Sequence, residues 1–187
     1  MRSLATGLIS AALCFSQAWA VPPPFIAAGN SPPPTDTAFI NQILQKVNGI
    51  RARYSALPLQ WKAELAEVTL RKSNGCKLDH SGPYGENAYL WYTIPFNRTA
   101  DFPAQINSAF DAWISPQEIR AYLARDYYGG GHFTQTVWKA STHIGCAFST
   151  IQCLNNLNKE WWFYCDFEPA GNILGLYPQN VGPGPGL

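Results

Sequence analysis

The chain has 187 residues, with 13 basic and 12 acidic side chains and a formal net charge of +1. This near-neutral balance gives no electrostatic footprint for nucleic acid and none for an anionic membrane surface. Charged residues make up only 13% of the sequence, whereas seven Trp, nine Tyr and ten Phe supply many aromatic side chains. Such a composition is typical of a packed domain, and it leaves room for an apolar binding surface.

The first 20 residues have the composition of a secretion signal. Arg2 supplies a positive charge, residues 4–15 form an apolar run, and residues 18–20 (AWA) match an A-x-A cleavage site. The apolar run is too short for a transmembrane segment, and no second one follows it. We therefore expect a signal peptide at 1–20, cleavage after Ala20, and a secreted, extracellular protein.

Residues 21–36 contain six prolines and show no hydrophobic periodicity, which predicts an extended, mobile lead-in. A helix is expected next, because apolar residues recur at spacings of three and four from Phe39 to Ile50 and Thr35 or Asp36 can cap it. The same reasoning predicts a second helix over residues 59–73.

A third helix is expected from about Pro103 through Trp113. After it the pattern changes, and residues 133–139, 143–149 and 161–167 resemble strands rich in β-branched or aromatic side chains. Helices followed by an antiparallel sheet predict an α+β fold in which the helices cover the sheet. We expect one domain at 37–180 and a flexible Gly/Pro tail at 181–187.

Four cysteines lie beyond the expected signal peptide, at positions 76, 146, 153 and 165. An even number in an exported chain predicts two disulfides, with three possible connectivities. Zinc ligation by these cysteines is the poorer interpretation, because no C-x-x-C pair occurs. Asn97 begins an unblocked N-x-T sequon, which predicts an exposed, glycosylated asparagine.

The chain has three histidines, His80, His132 and His143, and Glu86 follows the first of them by six residues. His80, Glu86 and His132 could form a polar cluster that binds a divalent metal or shifts protons. The alternative, which spacing alone favours, is that each histidine bonds a backbone carbonyl and stiffens a loop. We expect His143 to be structural or exposed.

Residues 129–131 are three glycines that lead directly to His132. A phosphate-binding loop needs a strand before its glycines and a helix after them, whereas these glycines precede a predicted strand. We therefore expect them to supply positive φ angles for a sharp turn rather than to bind an anion.

Two later segments, GHFTQTVWKASTHIGCAFS and WWFYCDFEPAGNILG, resemble the signature segments of the CAP superfamily. This superfamily, also called the SCP domain family, contains cysteine-rich secretory proteins, antigen 5 proteins and pathogenesis-related class 1 proteins. HSGPYGEN resembles a third signature and LPLQWKAELAE the second helix, so the likeness spans about residues 37–178. It implies a three-layer α-β-α sandwich with a central antiparallel sheet, and the disulfides Cys76–Cys153 and Cys146–Cys165.

The resemblance also implies a cleft lined by two histidines and two acidic residues. His80, Glu86 and His132 match three of these positions, which makes them the candidate cleft and metal-binding residues. At the fourth position the family usually has W-x-x-E, whereas Glu118 comes two residues late in this chain. On an unbroken helix that shift turns the side chain by about 200°, away from the cleft.

Glu118 also fits a different local pattern. Ser115 at N-cap, Pro116 at N1 and Glu118 at N3 form a capping box that would start a new helix. We therefore expect Glu118 to be a helix cap rather than a metal ligand, which leaves an incomplete site for zinc or a similar ion.

The resemblance implies a secreted, non-enzymatic protein that binds a small lipid, such as a sterol or a fatty acid, without a required cofactor. It implies an extracellular role in defence, virulence or antimicrobial action, with a host or a competitor as the target. Residues 89–96 (YLWYTIPF) are either a lipid-facing wall or ordinary core packing, and Tyr122, Tyr127 and Tyr128 are candidate lipid-facing aromatics. We expect a monomer without nucleic-acid partners.

Two alternatives remain open. In the first, the protein is a metal-dependent hydrolase or peptidase, in which His80 and His132 hold the ion and Glu86 acts as the base. In the second, the protein recognises its target through its surface alone and the cleft has no function.

Overall fold

In the computed structural model of the protein, the described residues are 26–27, 31–92, 101–155 and 158–185. The expected signal peptide, half of the lead-in and the Asn97 sequon lie outside these ranges.

Helix α1 spans Thr37–Arg53, and its start follows the predicted capping pattern. Asp36 is the N-cap residue, and its Oδ1 accepts a hydrogen bond from the Phe39 backbone N–H at 2.8 Å. The apolar stripe with three- and four-residue spacing is buried, and it places α1 against the core.

The remaining helices are α2 (Ala63–Ser73), α3 (Phe102–Trp113), α4 (Pro116–Leu123), α5 (Gly131–Thr136) and α6 (Tyr177–Asn180). Helix α2 begins later than residue 59, because Gln60 and Trp61 form a short strand that pairs in parallel with residues 143–144.

The strands are β1 (Ile26–Ala27), β2 (Gln60–Trp61), β3 (Gly85–Tyr92), β4 (His143–Phe148), β5 (Ile151–Asn155) and β6 (Asn158–Glu168). The long strand β6 is central, and β3 pairs antiparallel with it from Gly85 opposite Phe167 to Tyr92 opposite Glu160. Strands β4 and β5 pair antiparallel with β6 too, while β2 joins β4 and β1 joins β5. Strand β3 was not expected as a strand.

The side chains of β6 alternate between two helical layers, which makes the three-layer α-β-α sandwich. Trp161, Phe163 and Phe167 face the larger core, to which α1, α3 and α5 contribute. Trp162 and Tyr164 face the opposite side, where α2 packs on β4 and β6.

The segment 133–139 is not the predicted strand, because residues Gly131–Thr136 form helix α5. Phe133, Thr134, Gln135 and Thr136 are all buried, so the apparent alternation does not mark one buried face. The Thr136 hydroxyl donates to the His132 carbonyl at 2.8 Å, and the Thr134 hydroxyl donates to Asn172 Oδ1 at 2.6 Å. Threonines that favour strands elsewhere are accommodated in this helix by such bonds.

The glycines before His132 act through their small size, not through the positive φ that we expected. Gly130 has φ −103°, and the positive-φ glycines among the described residues are Gly82 and Gly175. A Cβ atom on Gly130 would lie 2.8 Å from the Tyr122 backbone nitrogen and 2.9 Å from the Glu118 carbonyl oxygen. The turn into α5 can therefore approach the backbone of α4 closely.

Residues 181–185, which belong to the expected flexible tail, pack against the end of α1. Val181 and Gly182 are buried, and the Tyr54 hydroxyl donates to the Pro185 carbonyl at 2.9 Å. A Cβ on Gly182 would lie 2.2 Å from the Tyr54 carbonyl oxygen, so the absence of a side chain permits this contact.

The structure contains two disulfides, and they are the pairs that the resemblance implied. Cys146 and Cys165 join β4 to β6 with a Cα–Cα distance of 4.1 Å. Cys76 and Cys153 join the segment after α2 to β5 with a Cα–Cα distance of 5.3 Å.

The buried side chain of Arg51 holds the end of α1 against the segment that follows α5. Its Nε donates to the Leu57 carbonyl at 2.7 Å, and its two terminal nitrogens donate to the carbonyls of Thr136, Trp138 and Ser141 at 2.9–3.0 Å. Burial lowers the pKa of Arg51 to about 10, so the guanidinium stays charged at neutral pH. Its charge is compensated by four carbonyl dipoles.

Replacing Arg51 with Met should lower the free energy of unfolding by about 3 kcal/mol or more, because buried carbonyls lose their donors. Urea denaturation measures this loss. Arg53→Met is the matched control, since Arg53 is exposed two residues further along the same helix. Equal losses in the two variants would contradict the assignment of Arg51 as a structural anchor.

Candidate functional site

An open cleft with a volume of about 720 Å³ runs along β3. Most of its wall is apolar or aromatic, and the residues concerned are Leu78, Tyr84, Ala88, Tyr89, Leu90, Tyr127, Tyr128, Trp162 and Tyr177. The polar side chains that line it are His80, Glu86, His132, Gln135 and Asn172. Three of these five polar residues were predicted from the sequence as cleft residues.

His80 and Glu86 form the first of two histidine–carboxylate pairs. His80 comes from the loop before β3 and Glu86 is the second residue of β3. The His80 Nδ1 and Glu86 Oε1 atoms are 2.6 Å apart, and the histidine side chain is 53% exposed whereas the glutamate is buried. The buried carboxylate therefore lies beside a histidine that reaches the solvent.

His132 and Glu118 form the second pair. The Nδ1 atom of His132, in the first turn of α5, lies 2.8 Å from Glu118 Oε1. The His132 ring stacks on the indole of Trp113, with 15° between the planes and 6.4 Å between the ring centroids. Trp113 therefore supports one face of the histidine while Glu118 holds its edge.

Glu118 was expected to turn away from the cleft; it is not among the cleft-lining residues, but its carboxylate contacts His132. Helix α3 ends at Trp113, and α4 begins separately at Pro116 with Ser115 as its N-cap. The Ser115 hydroxyl accepts from the Glu118 N–H at 3.4 Å, as the capping pattern predicted. The Glu118 carboxylate, however, contacts His132. The 200° rotation applies only to a single unbroken helix, and Trp113 and Glu118 lie on two different helices.

The four side chains do not converge into a metal centre. They form two separate pairs, in which each histidine Nδ1 faces its own carboxylate. Among the described residues, no group of three or more His, Cys, Asp or Glu side chains is placed to hold a metal ion. This donor arrangement does not fit the three or four protein ligands that zinc takes in proteins.

A buried charge network behind Glu86 was missed in the sequence. Lys72 Nζ, from the last turns of α2, contacts Glu86 Oε2 and lies 3.1 Å from Asp166 Oδ1 on β6. Asp166 is fully buried, and a lone acidic residue inside the aromatic segment WWFYCDF was the available signal. Lys72 therefore connects a buried carboxylate to the Glu86–His80 pair.

The environment of this network shifts two pKa values. Burial raises the pKa of Asp166 to about 6, although the charge of Lys72 opposes the shift. For Lys72, burial acts to lower the pKa, but the hydrogen bond to Glu86 and the charge of Asp166 outweigh it and raise the pKa above its usual value. The lysine therefore stays charged at neutral pH.

The other candidate residues divide between the cleft and the scaffold. Tyr127 and Tyr128 line the cleft, whereas Tyr122 packs against Phe133 with 5.8 Å between ring centroids. His143 begins β4, where its Nδ1 lies 2.9 Å from the Thr142 hydroxyl, and it does not line the cleft.

The predicted wall at 89–96 also divides. Tyr89 and Leu90 line the cleft, and Trp91 is part of the core. Positions 93–96 lie outside the described residues.

A family model described as the cysteine-rich secretory protein family, CAP, matches residues 44–167. The chain belongs to this family. The Fruiting body protein SC14 of Schizophyllum commune is 32% identical to it over 85% of this chain and 76% of the relative. The pathogenesis-related protein PR-1 of Medicago truncatula is 33% identical over 75% of this chain and 79% of the relative.

Solved structures show the same fold for this CAP protein. The crystal structure of NaASP2 with Zn²⁺ matches with a TM-score of 0.56 and 20% identity, over 80% of this chain and 85% of that one. In the described part of the chain, no helix is long and apolar enough to cross a membrane.

The raised pKa of Asp166 predicts a pH-dependent stability. Between pH 3.8 and about 6 the folded protein holds a proton that the unfolded chain has lost, so this residue makes stability fall as the pH rises. The side chain of Asp166→Asn stays neutral at every pH. The difference in the free energy of unfolding between this variant and the wild type should therefore shift in favour of the variant by on the order of 3 kcal/mol between about pH 4 and about pH 7. Urea denaturation at both pH values measures the difference.

Asp111→Asn is the control, because it removes a mostly exposed carboxylate from α3. An equal pH-dependent gain in both variants would show that the effect does not come from the buried network.

Proposed function

We propose that this CAP protein is a secreted, non-enzymatic module that binds one small lipid, a sterol or a fatty acid, in the cleft along β3. The observation that carries the proposal is the composition of the cleft wall. Its apolar and aromatic side chains dominate, and the volume of about 720 Å³ lies within the range typical of small-molecule sites.

The cleft fits an amphiphile that has a long apolar body and one polar end. Leu78 and Leu90 offer aliphatic contact and Tyr89 and Trp162 offer aromatic faces, all of which favour a desolvated hydrocarbon. His80 and His132 are 53% and 40% exposed at the side chain. Their ring nitrogens are suited to a hydrogen bond with a hydroxyl or a carboxylate of the ligand.

The family supports an extracellular role for this binding. The matching family model describes secretory proteins, and one relative is named as pathogenesis-related. We infer that the lipid is taken up or delivered outside the cell, in defence, virulence or antimicrobial action on a host or a competitor.

The geometry does not favour the metal-dependent hydrolase. That reaction needs an ion held by several protein ligands with an open position for water. The two histidine–carboxylate pairs are separate, so no step through a metal follows from the arrangement of the described donors. Lipid binding should accordingly persist in the presence of a strong chelator.

Binding of radiolabelled cholesterol and palmitate to the purified protein tests the proposal. The double variant Leu78→Asn/Leu90→Asn should bind at least tenfold more weakly, because it places polar amides where the lipid body packs. Leu57→Asn is the matched control, since Leu57 is an exposed leucine that does not line the cleft.

Leu78→Asn alone distinguishes weaker binding from a folding defect, because this side chain is exposed and lies outside the core, so its replacement should not disturb folding. It should weaken binding in the same direction by a smaller factor. The proposal fails if neither lipid class binds the wild type, or if the control loses as much affinity as the cleft variants.

A further inference from the structure

The loop between β6 and α6 carries an exposed apolar tip. Ile173 and Leu174 are 48% and 84% exposed, and Leu176 is exposed beside them. Gly175 has φ +85°, a conformation that glycine adopts without strain and that turns the chain between the leucines. Three aliphatic side chains within four residues are therefore presented to solvent.

Both ends of this loop are fixed to the segment that begins α5. The Asn172 amide donates to the Gly131 carbonyl at 2.9 Å, and its Oδ1 accepts from the Thr134 hydroxyl at 2.6 Å. At the other end, Tyr177 stacks on Tyr127 with 4.0 Å between ring centroids. The tip is thus held in place, so burying it in a partner costs less conformational entropy than burying a free loop.

The exposed tip adjoins the mouth of the cleft. Asn172 and Tyr177, which bracket it, both line the cleft, and so does Tyr128, whose side chain is 98% exposed. A surface that covers Tyr128 and the tip would therefore also meet the opening through which a ligand enters.

The segments that carry the tip and the residues it is fixed to contain no Asp, Glu, Lys or Arg. These segments are residues 169–187 and residues 127–138. Such a surface can leave water without the cost of desolvating a charge. It gives no attraction to anionic headgroups, so the partner that fits it is an uncharged lipid interface.

We propose that Ile173, Leu174 and Leu176 insert into the interfacial layer of a lipid bilayer and bring the mouth of the cleft to the membrane surface. Tyr128 lines the same cleft as Asn172 and Tyr177, which bracket the tip, and its amphipathic ring suits the headgroup region. This inference rests on the proposed lipid binding. If the cleft binds a lipid, docking would let that lipid pass between the bilayer and the cleft without crossing water.

Co-sedimentation with vesicles of phosphatidylcholine and cholesterol tests the docking. The triple variant Ile173→Ser/Leu174→Ser/Leu176→Ser should partition onto the vesicles at least tenfold more weakly than the wild type, because it removes three aliphatic contacts. Leu57→Ser, at an exposed leucine away from the cleft, should partition like the wild type. Partitioning should be the same at low and high salt.

Three results would overturn the docking: a wild type that does not bind these vesicles, a triple variant that binds as well as the wild type, and binding that requires phosphatidylserine and is lost in high salt. A wild-type dimer that the triple variant converts to a monomer, measured by light scattering, would show instead that a second copy covers the tip.

Binding of soluble cholesterol without vesicles separates the two proposals. The triple variant should keep wild-type affinity in that assay, which also shows that it is folded. Tyr128→Ser provides a second, milder change at the same surface and should weaken vesicle binding. A wild type that binds no soluble lipid contradicts the proposed function, whereas the vesicle result alone decides the docking.

Discussion

The buried guanidinium of Arg51 is the contact on which the position of the cleft depends. It bonds the carbonyl of Thr136, the last residue of α5, and the carbonyls of Trp138 and Ser141 in the segment that follows. Since α5 carries His132 near its start, the anchor on α1 also fixes one wall of the cleft. A buried cation that bonds only carbonyl groups is stable because every one of those bonds is charge-assisted.

A second constraint is the interruption between α3 and α4. Pro116 lacks a backbone N–H and Ser115 caps the new helix, so α4 leaves the axis of α3. This change of direction brings the Glu118 carboxylate to His132, and Trp113 at the end of α3 stacks on the same ring. Although the chain lacks the W-x-x-E spacing, His132 therefore still has an acidic neighbour, which α4 supplies.

Local patterns predicted the parts of the fold that depend on neighbouring residues. The caps at Asp36 and Ser115 and the periodicity of α1 lie within a few residues along the chain, and all three are present. Helix α5 was missed because four consecutive residues in it, 133–136, are buried, so its side chains show no helical stripe. Glu118 could not be placed from the sequence, since its direction depends on how α4 packs.

The Asp166–Lys72 contact joins residues that are 94 positions apart, and no local pattern predicts it. Its effect reaches the cleft, because Lys72 also holds Glu86, which in turn holds His80. The Glu86 carboxylate therefore has a partly buried lysine on one side and a histidine on the other. The cleft therefore combines apolar walls with histidines that each lie next to a carboxylate, and the proposed binding of an amphiphile rests on this arrangement.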